Sequence, residues 1–131
     1  MKLATLALAG VALAMSAAPA LAHHSFAMFD AAKNVKLDGT VKEFEWTNPH
    51  SWIRMMVRNQ QGVEEEWAIE MGTPAGLARQ GWVPKTLTPG MKIAATINPL
   101  KDGKRGGRAI VVTLPDGTLK HHPYPLGVRT S

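Results

Sequence analysis

The stretch "NVKLDGTVKEFEW", residues 34–46, decides the fold. Its apolar residues change parity partway along: Val35, Leu37 and Val41 come first, and Phe44 and Trp46 follow on the other parity. Because a strand repeats every two residues, it changes its buried face only at a bulge or a sharp bend. We therefore predict a bulge near Lys42-Glu43, and a coil or a close approach at Gly39. A long strand that changes its buried face is typical of a small barrel, in which one strand serves two sheets.

The segments that follow predict four more strands and one short helix. The strands are His50–Arg58, Val63–Met71, Met91–Asn98 and Arg108–Leu114. The helix lies in "TPAGLARQGW", where Thr73 is a suitable N-cap, Pro74 takes the first helical position and Gly81 ends it. This order predicts an all-β fold with one short helix, a five-stranded OB-like barrel. Another small barrel, or a curled sheet with one helix, is the alternative.

The first residues predict a signal peptide. Lys2 supplies a positive charge, residues 3–14 are uncharged and apolar, and Ala20-Leu21-Ala22 is a small-x-small cleavage pattern. We predict a signal peptide over 1–22, a barrel domain over 23–118 and a C-terminal tail over 119–131 with little to order it. The protein is then periplasmic or secreted, with no stable membrane span after processing. A retained anchor is the alternative, although the apolar run is shorter than the ~20 residues that a span needs.

Composition excludes several classes of function. The chain contains no cysteine, which rules out disulfides, thiolate zinc sites and a cysteine nucleophile. The formal net charge of +5 falls to +4 when Lys2 leaves with the leader, and this suits an anionic partner. Nucleic acid is not expected as a partner, because exported proteins do not normally meet it. No nucleophile elbow or phosphate-binding loop is present, so we predict that the protein is not an enzyme.

The histidines at the predicted mature N-terminus indicate a metal-binding site. Cleavage after Ala22 leaves His23 as the first residue of "HHSFAMFD", and its α-amine and Nδ1 form one chelate. A second imidazole completes a three-nitrogen histidine brace, which suits Cu(II) because copper favours tetragonal nitrogen sites. We predict a copper site at His23, completed by His24 or His50. In the alternative interpretation, the paired histidines are a solvated tail and His50 only bonds its own loop.

The two loops of an OB-like barrel predict a different kind of site. Such barrels bind ligands on strands two and three and in the loops that join strands one to two and four to five. Here the loops are "TNPH" and the basic "PLKDGKRGG". The predicted rim consists of Trp52, Arg54, Lys101, Lys104 and Arg105. It favours a non-catalytic adaptor that docks an envelope protein or an anionic glycan, unless these side chains are simply solvated.

Several motifs resemble a family of small exported bacterial proteins whose domain has no known function. They are "HHSFAMFD", "GTVKEFEWTNPHSWI", "GTPAGLARQGW", "LTPGMKI" and "VTLPDGTL", and the match they indicate runs over nearly the whole mature chain. The "HHSF" start and the "WTNPH" loop are the most specific parts. The resemblance implies export, one compact β-rich domain and no assigned activity. Its motif positions here are His23, His24, Phe26, Asn48, Pro49 and His50.

Overall fold

The computed structural model describes residues 26–122, so the predicted signal peptide, His23 and His24 lie outside the described range. In chain order the elements are a 3-10 turn Phe26–Met28, β1 Val35–Glu45, β2 Trp52–Arg58, β3 Glu64–Glu70, α1 Pro74–Ala78, β4 Lys92–Pro99, β5 Gly106–Thr113 and β6 Leu119–His121. Within this range, none of the helices has the length and hydropathy needed to cross a membrane.

The first five strands close into a barrel, as predicted. The hydrogen-bonded order is β3-β2-β1-β4-β5, and β3 also pairs with β5. That last pairing is parallel and runs from Ala68 opposite Gly106 to Glu70 opposite Arg108. Closure removes the exposed sheet edges that an open sheet of this length presents. The all-β class, the single short helix and the OB-like order of elements are all confirmed.

The predicted bulge lies in β1. The register of β1 against β2 shifts between Val41 and Glu43, while the first half of the strand pairs with β4. One continuous strand therefore bends to serve both halves of the wall. Gly39 lies where these halves meet, and a methyl group on its Cα would come within 2.1 Å of the carbonyl oxygen of Met56. Only glycine permits the strands to approach this closely.

Apolar side chains fill the barrel, and the helix covers part of it. The buried strand residues of this core are Leu37, Val41, Ile53, Met55, Ile69, Ile93, Ala95, Ile97, Ala109 and Val112. Leu77 of α1 and Trp82 after it are fully buried against them. The hydroxyl oxygen of Thr73 accepts a hydrogen bond from the amide of Gly76 at 3.0 Å, which confirms the predicted N-cap. Capping matters here because five residues make too short a helix to persist alone.

The sheet continues past residue 118, where we predicted a tail with little to order it. Strand β6 pairs antiparallel with β5, from Val111 opposite His121 to Thr113 opposite Leu119. Strand β3 pairs only with Gly106 to Arg108 of β5. The backbone N–H and C=O groups farther along the same edge of β5 can therefore bind another strand. The tight turn before β6 brings the chain back to that edge. Three residues carry too little alternation to predict such a strand.

Candidate functional site

The most unusual residue of the barrel is Glu70, at the end of β3. Its neighbours Ile69 and Met71 are buried in the core, so Glu70 points to the outside of the wall. It is nevertheless only 1 % exposed. Parallel pairing with β5 places Arg108 beside it, and Arg108 is 6 % exposed. A carboxylate and a guanidinium are therefore buried together on a face where the alternation predicts solvent.

The Glu70 carboxylate holds the imidazole of His50. Nδ1 of His50 forms a short contact with Oε1 of Glu70, and the His50 side chain is 26 % exposed. Backbone hydrogen bonds of 2.9 Å in both directions fasten the next residue, Ser51, to the end of β3 at Met71 and Gly72. Because Nδ1 faces Glu70, Nε2 is the ring atom that faces away. Metal-ligating histidines are oriented by carboxylates in this way.

Burial and charge act in opposite directions on Arg108. Removal from water lowers the pKa of the Arg108 guanidinium, and the negative charge of Glu70 raises it again. Arginine stays protonated in proteins even so, because its ordinary pKa is above ~12. Arg108 thus supplies a permanent positive charge to the Glu70 carboxylate. The pair forms a fixed electrostatic support behind the His50 ring.

A second imidazole, that of His122, lies close to the backbone at the end of β3, where the loop that carries His50 is attached. The amide of His122 donates to the carbonyl oxygen of Ile110 at 2.8 Å, and the residue is 3 % exposed. A methyl group on Gly72 would lie 3.3 Å from Nε2 of His122. Sequence reasoning placed this histidine in the predicted tail over 119–131. The doubled histidine at 121–122 was the only signal that could have singled it out.

The described chain begins near this part of the barrel. Phe29, 4 % exposed, bridges to Leu100, and the amide of Asp30 donates to Pro99 at 2.8 Å. Pro99 in turn pairs with Gly107, the residue before Arg108. Residues 28–30 thus lie against the end of β4, which pairs with the strand that carries Arg108.

The predicted rim divides into two groups. On β2, the Arg54 guanidinium lies 5.4 Å from the centre of the Trp52 ring, and its Nε donates to Glu45 at 3.0 Å. The other three residues belong to the loop between β4 and β5. Of these, Arg105 comes within 3.9 Å of Glu65. Trp52 and Arg54 thus have partners of their own on the outer face of the sheet.

Lys101 and Lys104 line an open groove of about 440 Å³ beside this loop. Lys33 and Asp30 line it as well, and Trp67 forms part of its wall. Sequence reasoning did not select Trp67, because its parity matches the core residues Ile69 and Met71. The groove therefore combines an aromatic surface with three lysines and one aspartate.

Over residues 26–122, no three histidine or acidic side chains come together closely enough to hold a metal ion. Of the predicted ligands His23, His24 and His50, only His50 lies within the described range, because the other two precede it.

The structure thus defines a small closed barrel with a buried carboxylate and guanidinium on its outer wall and a half-buried imidazole against the carboxylate. The chain belongs to the family of unknown function DUF6152, which matches residues 10–109. This confirms the resemblance to a family without an assigned activity. The matched range contains His50, Glu70 and Arg108 and ends before β6. No curated protein and no solved structure matches the chain.

Proposed function

We propose that this is an exported, non-catalytic copper-binding protein, in which His23 at the mature N-terminus and His50 hold Cu(II). The contact between His50 and Glu70 is the observation that carries the proposal. It provides an oriented imidazole on a loop that backbone hydrogen bonds fasten to the end of β3. Without Glu70, the loop histidine would be one solvated side chain among several.

The chemistry of the ligands favours copper. The α-amine and Nδ1 of His23 would chelate the ion as one unit, and Nε2 of His50 would supply a third nitrogen. Three nitrogens in a plane suit the tetragonal preference of Cu(II), and imidazole is a good ligand for it. His24 is the alternative second imidazole, since it follows His23 directly. Cleavage after Ala22 is part of the proposal because it exposes the amine.

The buried pair of Glu70 and Arg108 behind His50 has a defined role in this site. A carboxylate that accepts the Nδ1 proton fixes the tautomer and makes Nε2 a better donor. The buried charge of Glu70 is balanced by Arg108, so the support persists when no metal is bound. Loss of such outer partners typically weakens metal affinity ~10–100-fold.

Titration calorimetry with Cu(II) tests the proposal. We expect the protein beginning at His23 to bind with a Kd below about 1 µM, which corresponds to ~8 kcal/mol. His50→Ala should weaken binding at least about tenfold, because a nitrogen ligand is lost. His121→Ala is the matched control, because this histidine is exposed on β6. The His121→Ala variant should bind Cu(II) as tightly as the unchanged protein.

An added glycine before His23 provides the decisive comparison, because it moves the amine away from the imidazole without touching the barrel. It should weaken binding as strongly as His50→Ala does. Equal affinity with and without the extra residue would contradict a role for the amine. A Kd weaker than about micromolar for the processed protein would overturn the whole proposal.

The groove beside the β4–β5 loop supports a second candidate function, the binding of an anionic glycan. Trp67 offers a ring face on which a sugar packs, and Lys33, Lys101 and Lys104 offer cations for its carboxylates. The ion pairs in this region are exposed ones, such as Lys104 to Asp102 at 3.8 Å, and a ligand displaces such pairs at little cost. This candidate relocates the predicted rim site from Trp52 and Arg54 to Trp67.

Binding of an oligogalacturonate at low and at high ionic strength tests this candidate. Affinity should fall about tenfold or more as salt rises, since exposed charges are screened, whereas copper chelation should barely respond. Lys101→Glu combined with Lys104→Glu should abolish the salt-sensitive binding. Lys92→Glu, an exposed lysine of β4 outside this groove, should leave it intact. Equal loss in both variants would indicate a general charge effect and no specific site.

A further inference from the structure

We propose that the surface formed by the segment after α1 and by strand β6 binds an anionic lipid membrane. We call it the α1–β6 surface. Its residues are exposed or partly exposed, and they are Arg79, Gly81, Val83, Lys85, Leu119 and Lys120. This role is separate from the copper site and from the groove beside the β4–β5 loop, because the α1–β6 surface shares no residue with either.

The α1–β6 surface carries positive charge without nearby negative charge. All ten aspartates and glutamates of the chain fall outside residues 71–101, the segment that contains Arg79 and Lys85. Among the ion pairs of residues 26–122, none involves Arg79, Lys85 or Lys120. The acidic residue nearest to Lys120 along the chain is Asp116, whose carboxylate accepts a backbone amide of its own turn at 2.9 Å. The three cations are therefore available to an anionic partner.

Trp82 explains why the segment after α1 stands at the surface. Its ring is 1 % exposed and packs against Phe44, with ring centres 6.0 Å apart. Because Trp82 anchors the segment, its neighbours Gly81 and Val83 lie outside, and Val83 is 54 % exposed. A tight turn holds the next residues there: the amide of Val83 donates to the hydroxyl of Thr86 at 2.8 Å, and the amide of Thr86 donates to the carbonyl oxygen of Val83 at 2.9 Å.

Lys120 joins β6 to this segment. Its Nζ donates to the carbonyl oxygen of Gly81 at 3.0 Å and lies 5.8 Å from the centre of the Trp82 ring. Leu119, the preceding residue of β6, is 57 % exposed. The two segments therefore lie side by side, and each contributes an exposed aliphatic side chain together with positive charge.

This combination fits an anionic lipid membrane. Cations are attracted to the negative potential of such a membrane, and aliphatic side chains enter the boundary between headgroups and acyl chains. A protein partner fits less well, because stable protein interfaces bury about 1,200–2,000 Å² and often centre on tryptophan or tyrosine anchors. Here the ring of Trp82 is buried beneath the surface, and Val83 and Leu119 offer little apolar area. A fluid membrane requires no matching shape.

Flotation of the protein beginning at His23 with lipid vesicles tests this proposal. A chelator is present, so that the result does not depend on copper. Vesicles that contain phosphatidylglycerol should bind at least about tenfold more tightly than vesicles of phosphatidylcholine alone, since each Lys or Arg near an anionic surface adds about fivefold. This binding should weaken as salt rises. Equal binding to the two kinds of vesicle would overturn the proposal.

Charge reversal locates the binding surface. Arg79→Glu combined with Lys85→Glu should reduce the affinity for anionic vesicles at least about tenfold. Lys36→Glu combined with Lys92→Glu is the matched control, because these exposed lysines of β1 and β4 give the same change in net charge outside the α1–β6 surface. It should have a much smaller effect. An equal loss in the two variants would show that net charge alone governs binding, and the assigned surface would be wrong.

Folding of the variants is checked by circular dichroism. The replaced side chains are exposed, so the barrel core is unchanged. If the first charge-reversal variant fails to fold, Arg79→Gln combined with Lys85→Gln removes the same cations without adding carboxylates. It should still weaken vesicle binding, by a smaller factor than charge reversal does. Unchanged binding by this folded variant would contradict the proposal.

Val83→Ser combined with Leu119→Ser distinguishes a membrane from a soluble acidic partner. This variant keeps every charge but should bind anionic vesicles severalfold more weakly, because its side chains no longer enter the acyl boundary. Soluble polyglutamate should compete poorly with the vesicles for the unchanged protein. Unchanged vesicle binding by the double variant, or full competition by polyglutamate, would assign the α1–β6 surface to an acidic protein and overturn the choice of a membrane.

Discussion

Glu70→Ala is expected to lower the free energy of unfolding by about 3–5 kcal/mol, the usual cost of breaking a buried ion pair from one side. The carboxylate is 1 % exposed and contacts His50, and its charge acts on Arg108. Its removal would take this negative charge away from the buried guanidinium, and Arg108, which is 6 % exposed, could not regain water without opening the wall. A loss of this size is a large part of the ~5–15 kcal/mol that stabilises a typical domain.

Urea unfolding followed by circular dichroism measures this loss, with Glu66→Ala as the matched control. Glu66 lies on the same strand and the same face, but it is exposed and pairs with Lys42 at 2.8 Å. That hydrogen bond lowers the pKa of the Glu66 carboxyl. Because the pair is exposed, water solvates Lys42 once Glu66 is replaced. Glu66→Ala should therefore have a much smaller effect. Similar losses in the two variants would contradict the account of a buried support.

Gly39→Ala is expected to destabilise the barrel by about 3 kcal/mol or more, at the upper end of the range for overpacked sites. Its methyl group would lie 2.1 Å from the Met56 carbonyl oxygen, a backbone atom that cannot rotate away. Relief would require β1 and β2 to separate at Gly39 opposite Val57, beside the bend that closes the barrel.

Thermal or urea unfolding of Gly39→Ala should be compared with that of Gly117→Ala. Gly117 has φ of +85° in the turn before β6, and a methyl group there meets no atom within 4 Å. Its substitution costs only the backbone strain of that conformation, about 1–2 kcal/mol. If Gly39→Ala were no more destabilising than Gly117→Ala, the close approach of the two strands would not limit stability.

Much of the candidate site was hidden from sequence reasoning. His50 was predicted, because a histidine after Asn48-Pro49 in a barrel loop is conspicuous. Glu70 was not, since it has the same parity as Glu64 and Glu66 and alternation assigns all three to solvent. Arg108 was not selected either, because it begins a predicted strand directly after a basic loop. The parallel pairing of β3 with β5 makes these two residues partners, and that contact joins segments almost forty residues apart.

The sequence by itself determined the bent first strand and the strand-rich order of elements, and it favoured a barrel over a curled sheet, because the change of parity within residues 34–46 and the apolar alternation are local properties. It likewise determined the capped helix and the bulge, which depend on neighbours in the chain. Tertiary structure alone decided which polar residues became buried and which remained in water. That choice depends on barrel closure and on the return of β6 to the edge of β5, and both bring together residues distant in sequence. Glu70 and Glu66 are the same residue type at the same parity. Only the surrounding strands bury Glu70 behind His50 and leave Glu66 exposed on the surface.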